Sequence, residues 1–228
     1  MAVAAYFVGQ YTDGTLVELA GRHVGLAPTY AHRPWPVRAA FYAHIGCSGL
    51  ALCLGPLQFS RRLRTRRPSV HRWVGRVYLC GVALGALGAF VISMFSSIAF
   101  NGFFGFGTLA VLWAWTAWRA YRAVAFSRDF PSHQAWMIRN FSLTYAAVTL
   151  RLWQNGLILL QLPFSDANLG TISDTAYQAL PFWCWLPNIA VAELMIRRRG
   201  LPALRLSPPT PAALSGSPGR PAVHRDRV

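Results

Sequence analysis

Five runs of the chain, at 39–59, 77–98, 103–126, 138–160 and 179–196, are predominantly apolar and each is the length of one membrane crossing. A helix rises about 1.5 Å per residue, so about 20 apolar residues span a hydrocarbon core about 30 Å thick. Inside lipid every backbone N–H and C=O must find its partner within the protein, which leaves helices and closed barrels as spanning structures. Runs of this length predict an all-α, polytopic transmembrane helical bundle of five spans. The connections are short and leave no room for a soluble domain between them. Composition agrees, since 54% of the 228 residues are hydrophobic and only 13% are charged. A soluble domain carries roughly a quarter.

The basic residues set an orientation. All 22 are arginine, and they give a net charge of +15. The connection between the first two spans, "SRRLRTRRPSVHRWVGR", holds seven of them, the stretch from Arg119 to Arg139 holds four, and the stretch from Arg197 onward holds seven. A five-span chain puts these eighteen on one side. The positive-inside rule makes that side cytoplasmic, with the C-terminus. A charge so distributed is a topology signal rather than a nucleic-acid face, and no nucleic-acid partner is expected. The layout is then an outer N-terminal segment at 1–37, a bundle at 38–199, and a basic cytoplasmic tail at 200–228. The tail is rich in Pro, Ser, Ala and Arg and is expected to be disordered. The reading is a multi-pass protein of a bacterial inner membrane, with the bilayer and the anionic head groups of its cytoplasmic face as partners.

Two clusters repeat at span openings. "PSVHRWVGR" places His71, Trp73 and Arg76 before the second span, and "PSHQAWMIR" places His133, Trp136 and Arg139 before the fourth. Both lie at the arginine-rich edge, where a helix N-terminus presents free N–H groups. Trp and Arg there are interfacial anchors and topology signals. The histidines suit three roles: helix capping, an anion or head-group site with Arg72, Arg76 and Arg139, or ligation of a haem b iron by two neutral imidazoles with those arginines at the propionates. No other metal is implied.

A second polar group lies deeper. His44 falls within the first span, and Arg151 stands about 20 Å into the fourth, with Gln154 and Asn155 on the next turn. An arginine at that depth costs about 2.5–3.5 kcal/mol even on insertion-based scales, so it should face the bundle interior and meet a partner. Asp166, Asp174 or the carboxylate or carbonyl of a ligand could serve. Glu193 stands four residues before Arg197, the spacing of a helical ion pair. Asn188, next to Pro187, can mend hydrogen bonds that the proline opens. Gly81, Gly85 and Ala89 form a small-residue stripe that permits close approach of another helix, within the chain or between copies in an oligomer. Cys47, Cys53, Cys80 and Cys184 lie in apolar segments and read as buried thiols. His44 lies too far along the bundle to join His71 and His133 on one iron. No Walker A loop, H-E-x-x-H or G-x-S-x-G is present, so no catalytic residue is assigned.

"HIGCSGLALCLGPLQFSRRLRTRRPSVHRWVGRVYL" followed by "HQAWMIRNFSLTYAAVTLRL" resembles a bacterial family of predicted membrane proteins, a domain of unknown function (DUF 2306). The resemblance runs from about His44 to Glu193 and implies a polytopic helical membrane protein. Members of that family often carry one more span ahead of the first one here, so residues 1–37 are expected to be either an outer segment or the remainder of a truncated start. The spacing of His44, the arginine-rich connection and His71 is also similar to that of the ascorbate-reducible di-haem membrane cytochromes. Those pair histidines at two depths, whereas the third span here has none. Three functions follow as expectations: a haem-binding redox protein, a transporter or membrane binding protein for an anionic small molecule, and a structural or assembly protein.

Overall fold

A computed structural model describes residues 6, 8–164 and 167–203 of the chain. Asp166 and most of the expected tail lie outside the described residues. Among the described residues every regular element is helical. Two short helices, α1 (Leu16–Gly21) and α2 (Ala27–Tyr30), precede α3 (Trp35–Gln58). They are followed by α4 (Arg61–Arg66), α5 (Pro68–Ser93), α6 (Ala99–Ala125), α7 (Phe130–Thr144), α8 (Ala146–Gln161), α9 (Leu169–Trp183) and α10 (Leu186–Arg198). Among the described residues three stretches are long and apolar enough to cross a membrane: Trp35–Gln58, Pro68–Ser93 and the combined Leu169–Arg198. At 27 residues α6 has the length, but its glycines and tryptophans lower its hydropathy. The fourth apolar run is divided at Tyr145 into α7 and α8, of 15 and 16 residues. The amide of Tyr145 still donates to the Phe141 carbonyl at 2.9 Å, so the division interrupts the helix only locally.

The two helix starts that differ most from expectation do so for identifiable reasons. Helix α5 begins at Pro68 rather than at 77, because proline at the first helical position loses no hydrogen bond and has its φ preset. The His71–Arg76 cluster is therefore inside the helix. Helix α9 begins at Leu169, within a stretch expected to be a loop up to 179. The Asn168 side chain accepts a hydrogen bond from the Thr171 amide at 2.9 Å, and Ile172, Ala176 and Leu180 recur every four residues on the buried face. The Ser, Asp and Thr between them belong to the other faces and disguise the periodicity.

Helix α3 lies along α5, α5 along α6, α6 along α7, α7 against α10 and α8 against α9. The small-residue stripe is used inside the chain. A Cβ on Gly88 would meet the Ala40 carbonyl oxygen at 2.6 Å and the His44 nitrogen at 3.0 Å. One on Gly81 would meet the Cys47 carbonyl oxygen at 3.2 Å, so the helix that approaches this face of α5 within the chain is α3. Cys184 is buried as expected, Cys47 and Cys53 are half-buried, and Cys80 is exposed on the outer surface of the bundle.

The segment before α3 is folded. Thr15 and Glu18 form a reciprocal capping box at the start of α1. Tyr11, Leu16, Leu19 and Tyr30 pack with Val37, Phe41 and Ile92, covering the end of α3 and α5 that lies away from the arginine-rich connections. The Tyr30 hydroxyl donates to the Ile92 carbonyl at 3.1 Å. Burial pushes that phenol up to about 12, so it stays a donor at neutral pH.

Candidate functional site

The polar residues of the bundle fall into three levels, spaced by the helices themselves. On α5, His71, Tyr78 and Gly85 follow one another at seven-residue intervals, and on α7 and α8 so do His133, Asn140 and Ala147. Seven residues are two turns, so each triplet keeps to one face and steps along the bundle by about 10 Å.

The middle level is a closed network. The Tyr78 hydroxyl donates to Asn140 Oδ1 at 2.6 Å, and Asn140 Nδ2 donates to the Trp113 carbonyl at 2.8 Å and to Thr116 Oγ1 at 2.9 Å. Trp113 Nε1 donates to Thr144 Oγ1 at 2.8 Å, and Thr144 donates to the Asn140 carbonyl at 3.0 Å. Tyr78 and Asn140 are fully buried, and every side-chain amide and hydroxyl here has a partner. In a dry interior such pairing is required, because an unpaired polar group costs several kcal/mol. The sequence reading missed these residues. The seven-residue offset from each histidine was the available signal.

Beyond this network, toward the capped end, lies a cavity of about 500 Å³. Trp113 and Thr144 belong to both the network and the cavity wall. His44, Arg151 and Gln154 all border it, so three of the four residues expected to form an intramembrane polar site meet at one space. Asn155 is exposed and is not among the lining residues. Asp174 borders the cavity too, placed there by the early start of α9. The segment before α3 supplies Tyr11 and Tyr30 to the wall.

His44 Nδ1 lies 2.9 Å from the Gly85 carbonyl, an oxygen that can only accept, so Nδ1 carries the proton. In the neutral ring Nε2 is then an acceptor. Ser48 Oγ stands 3.2 Å from the same Nδ1. Arg151 Nη1 donates to the Ala147 carbonyl at 2.8 Å, one turn back on α8. A guanidinium carries five N–H groups and can donate to more than one acceptor at once. Phe41, Ile45, Leu52, Phe106, Leu109 and Leu150 give the wall its apolar part, and Ser93, Ser96, Ser97 and Tyr177 add further polar groups. Such a space can hold a molecule with a polar head and an apolar body.

At the arginine-rich end His71 and His133 each occupy the fourth position of their helix. They are electrostatic neighbours, with Arg64 and Arg72 also acting on His71. His133 Nδ1 lies 2.8 Å from the Ala120 carbonyl, whereas His71 Nδ1 is buried without a partner. The N-terminus of α7 is already capped by Asp129, whose carboxylate accepts from the Ser132 amide at 3.0 Å. Arg72 and Arg76 are exposed, and Arg76 stacks over Trp73. Neither histidine borders the cavity.

Arg139 is placed differently from its two neighbours. It is 2% exposed and forms a two-pronged ion pair with Glu193, Nε to Oε1 and Nη2 to Oε2, the second at 3.0 Å. Glu193 thus pairs across helices and not with Arg197 one turn along. The reason is burial: Arg139 faces α10, while Arg197 is exposed. Asn188 Nδ2 donates to the Cys184 carbonyl at 3.1 Å and to Thr149 Oγ1 at 2.9 Å, holding the break between α9 and α10 ahead of Pro187.

An all-helical bundle with membrane-length apolar helices, an internally satisfied polar core and a wide apolar exterior defines a helical membrane protein. The chain belongs to the family of predicted membrane proteins DUF2306, whose model matches residues 41–196. The match runs from α3 to α10 and takes in His44, His71, His133, Arg139, Arg151 and Glu193. No curated protein and no solved structure matches the chain.

Proposed function

We propose that the protein is a multi-pass protein of the bacterial inner membrane that binds, and in its natural setting carries, a small amphiphile with a carboxylate or carbonyl head. Five crossings with the arginine-rich end in the cytoplasm are supported by the loop arginine count. The observation that carries the function is the meeting of His44, Arg151 and Gln154 at one cavity of about 500 Å³ with a largely apolar wall. Ligand sites of this kind are concave and apolar with a few placed polar groups, and commonly span about 300–1,000 Å³. Arg151 donates to the oxygen of the head, and His44 Nε2 accepts from a hydroxyl. Asp174 balances the charge of the wall, so a neutral carbonyl fits as well as a carboxylate. A haem role would rest on His71 and His133, and the cavity lends it no support.

The test is thermal unfolding of the purified chain in phosphatidylcholine nanodiscs with dodecanoate, 2-dodecanone or dodecane. The two oxygen-bearing probes should raise the midpoint by several degrees and dodecane should not. Arg151→Leu should abolish the difference, and Arg151→Lys should restore part of it. Equal effects of all three probes, in wild type and variant alike, would reject the reading.

A further inference from the structure

A second polar niche lies at the arginine-rich end, apart from the cavity, and it is built from donors. Gln58, in the last turn of α3, is 7% exposed, and its Nε2 has no hydrogen-bond partner. Its amide faces α5, where a Cβ on Gly75 would meet Gln58 Oε1 at 3.0 Å. His71 stands one turn before Gly75 on the same face of α5, and its buried Nδ1 has no partner either. His133 on α7 and the exposed Arg64 and Arg72 act electrostatically on His71. Two unsatisfied buried polar groups on facing helices are unusual, since each costs about 1–3 kcal/mol.

What the niche lacks is an anion. Among the described residues the acids nearest this end are Asp129 and Glu193, and both are engaged, Asp129 by Ser132 and Glu193 by Arg139. An amide NH₂, the His71 imidazole and two guanidinium groups present more N–H donors than one carboxylate can accept, and they suit an oxyanion with three or four oxygens. Gly75 leaves room for the amide because it has no side chain at the point of contact.

We propose that Gln58 and His71, with Arg64 and Arg72, form a binding site for a phosphoryl-type oxyanion, supplied by free phosphate or by the phosphodiester of a lipid head group. The site is independent of the cavity and of what the cavity holds. Gln58 separates it from diffuse attraction by surface arginines, because the amide is uncharged and buried.

The test is calorimetric titration of the full chain in phosphatidylcholine nanodiscs, first with inorganic phosphate and then with dihexanoyl phosphatidylglycerol. At least one probe should bind saturably, and its identity tells free anion from head group. Gln58→Glu, which places a like charge in the niche, should weaken that binding at least tenfold. Gln58→Met, which removes the amide at similar volume, should also bind at least tenfold more weakly while unfolding no earlier than wild type. Absence of saturable binding by either probe would overturn the proposal. So would equal affinity in the Gln58 variants, which would assign the attraction to the arginines at large. Failure of both variants to fold would make the amide structural and overturn it too.

Discussion

Arg139 on α7 and Glu193 on α10 stand 54 positions apart in the chain and meet as a two-pronged ion pair. The guanidinium is stacked against Trp136, with its carbon 4.6 Å from the ring centroid. Removing one partner of a buried pair leaves an uncompensated charge, at a cost of about 3–5 kcal/mol. Glu193→Ala should therefore lower stability by about 3 kcal/mol, since the acid is 22% exposed and water offsets part of the loss. The double variant Arg139→Met, Glu193→Leu should recover most of it. Denaturant unfolding in mixed micelles measures both, and additive losses in the double variant would contradict the pairing.

Gly88 permits the closest approach of α3 to α5. Gly88→Ala drives a methyl against the backbone of Ala40 and His44, which cannot yield as a side chain would. Overpacking of this kind costs about 1–3 kcal/mol. Gly156→Ala, where the new methyl meets nothing within 4 Å, should be neutral or stabilise the helix by about 0.5–1 kcal/mol. Comparing the two unfolding midpoints separates close packing from a general penalty on glycine replacement.

Tyr78→Phe takes one hydroxyl from the middle network and leaves Asn140 Oδ1 without its donor in a fully buried position. The expected loss is about 1–3 kcal/mol, with little change in packing volume. Because Thr144 and Trp113 also line the cavity, ligand affinity should fall as well. Unchanged stability would mean that water enters this level.

Asp129 caps α7 with its carboxylate, and the hydrogen bonds from Ser132 hold that carboxyl below the ordinary Asp value. A depressed folded pKa means that the cap contributes above the unfolded pKa and is lost as pH falls through the folded one. Hydrogen exchange at the Ser132 amide should lose protection in acid. Asp129→Asn, which caps without titrating, should keep its protection across the same range.

The helical membrane class was legible because apolar runs and arginine spacing are one-dimensional signals. That His44 and Arg151 lie at a similar depth was legible from counting along a helix of known rise, but the cavity that both border was not. Two things were hidden. The start of α9 at Leu169 was masked by Ser173, Asp174 and Thr175, whose polarity reads as a loop until the Ile172, Ala176 and Leu180 face is seen packed. The partner of Glu193 was hidden because Arg139 comes from another helix, and local spacing favoured Arg197. Gln58 gave no sign at all, being one polar residue at a helix end whose burial depends on Gly75 of the next span.

The central claim is that the cavity beside His44 and Arg151 is a ligand site, and equilibrium dialysis of radiolabelled dodecanoate against the nanodisc-embedded chain tests it most directly. Wild type should take up about one saturable equivalent per chain above lipid partitioning. Arg151→Leu and the cavity-filling Ser48→Trp should each lose it while remaining folded. Uptake that never saturates, and is the same in all three proteins, would contradict the account.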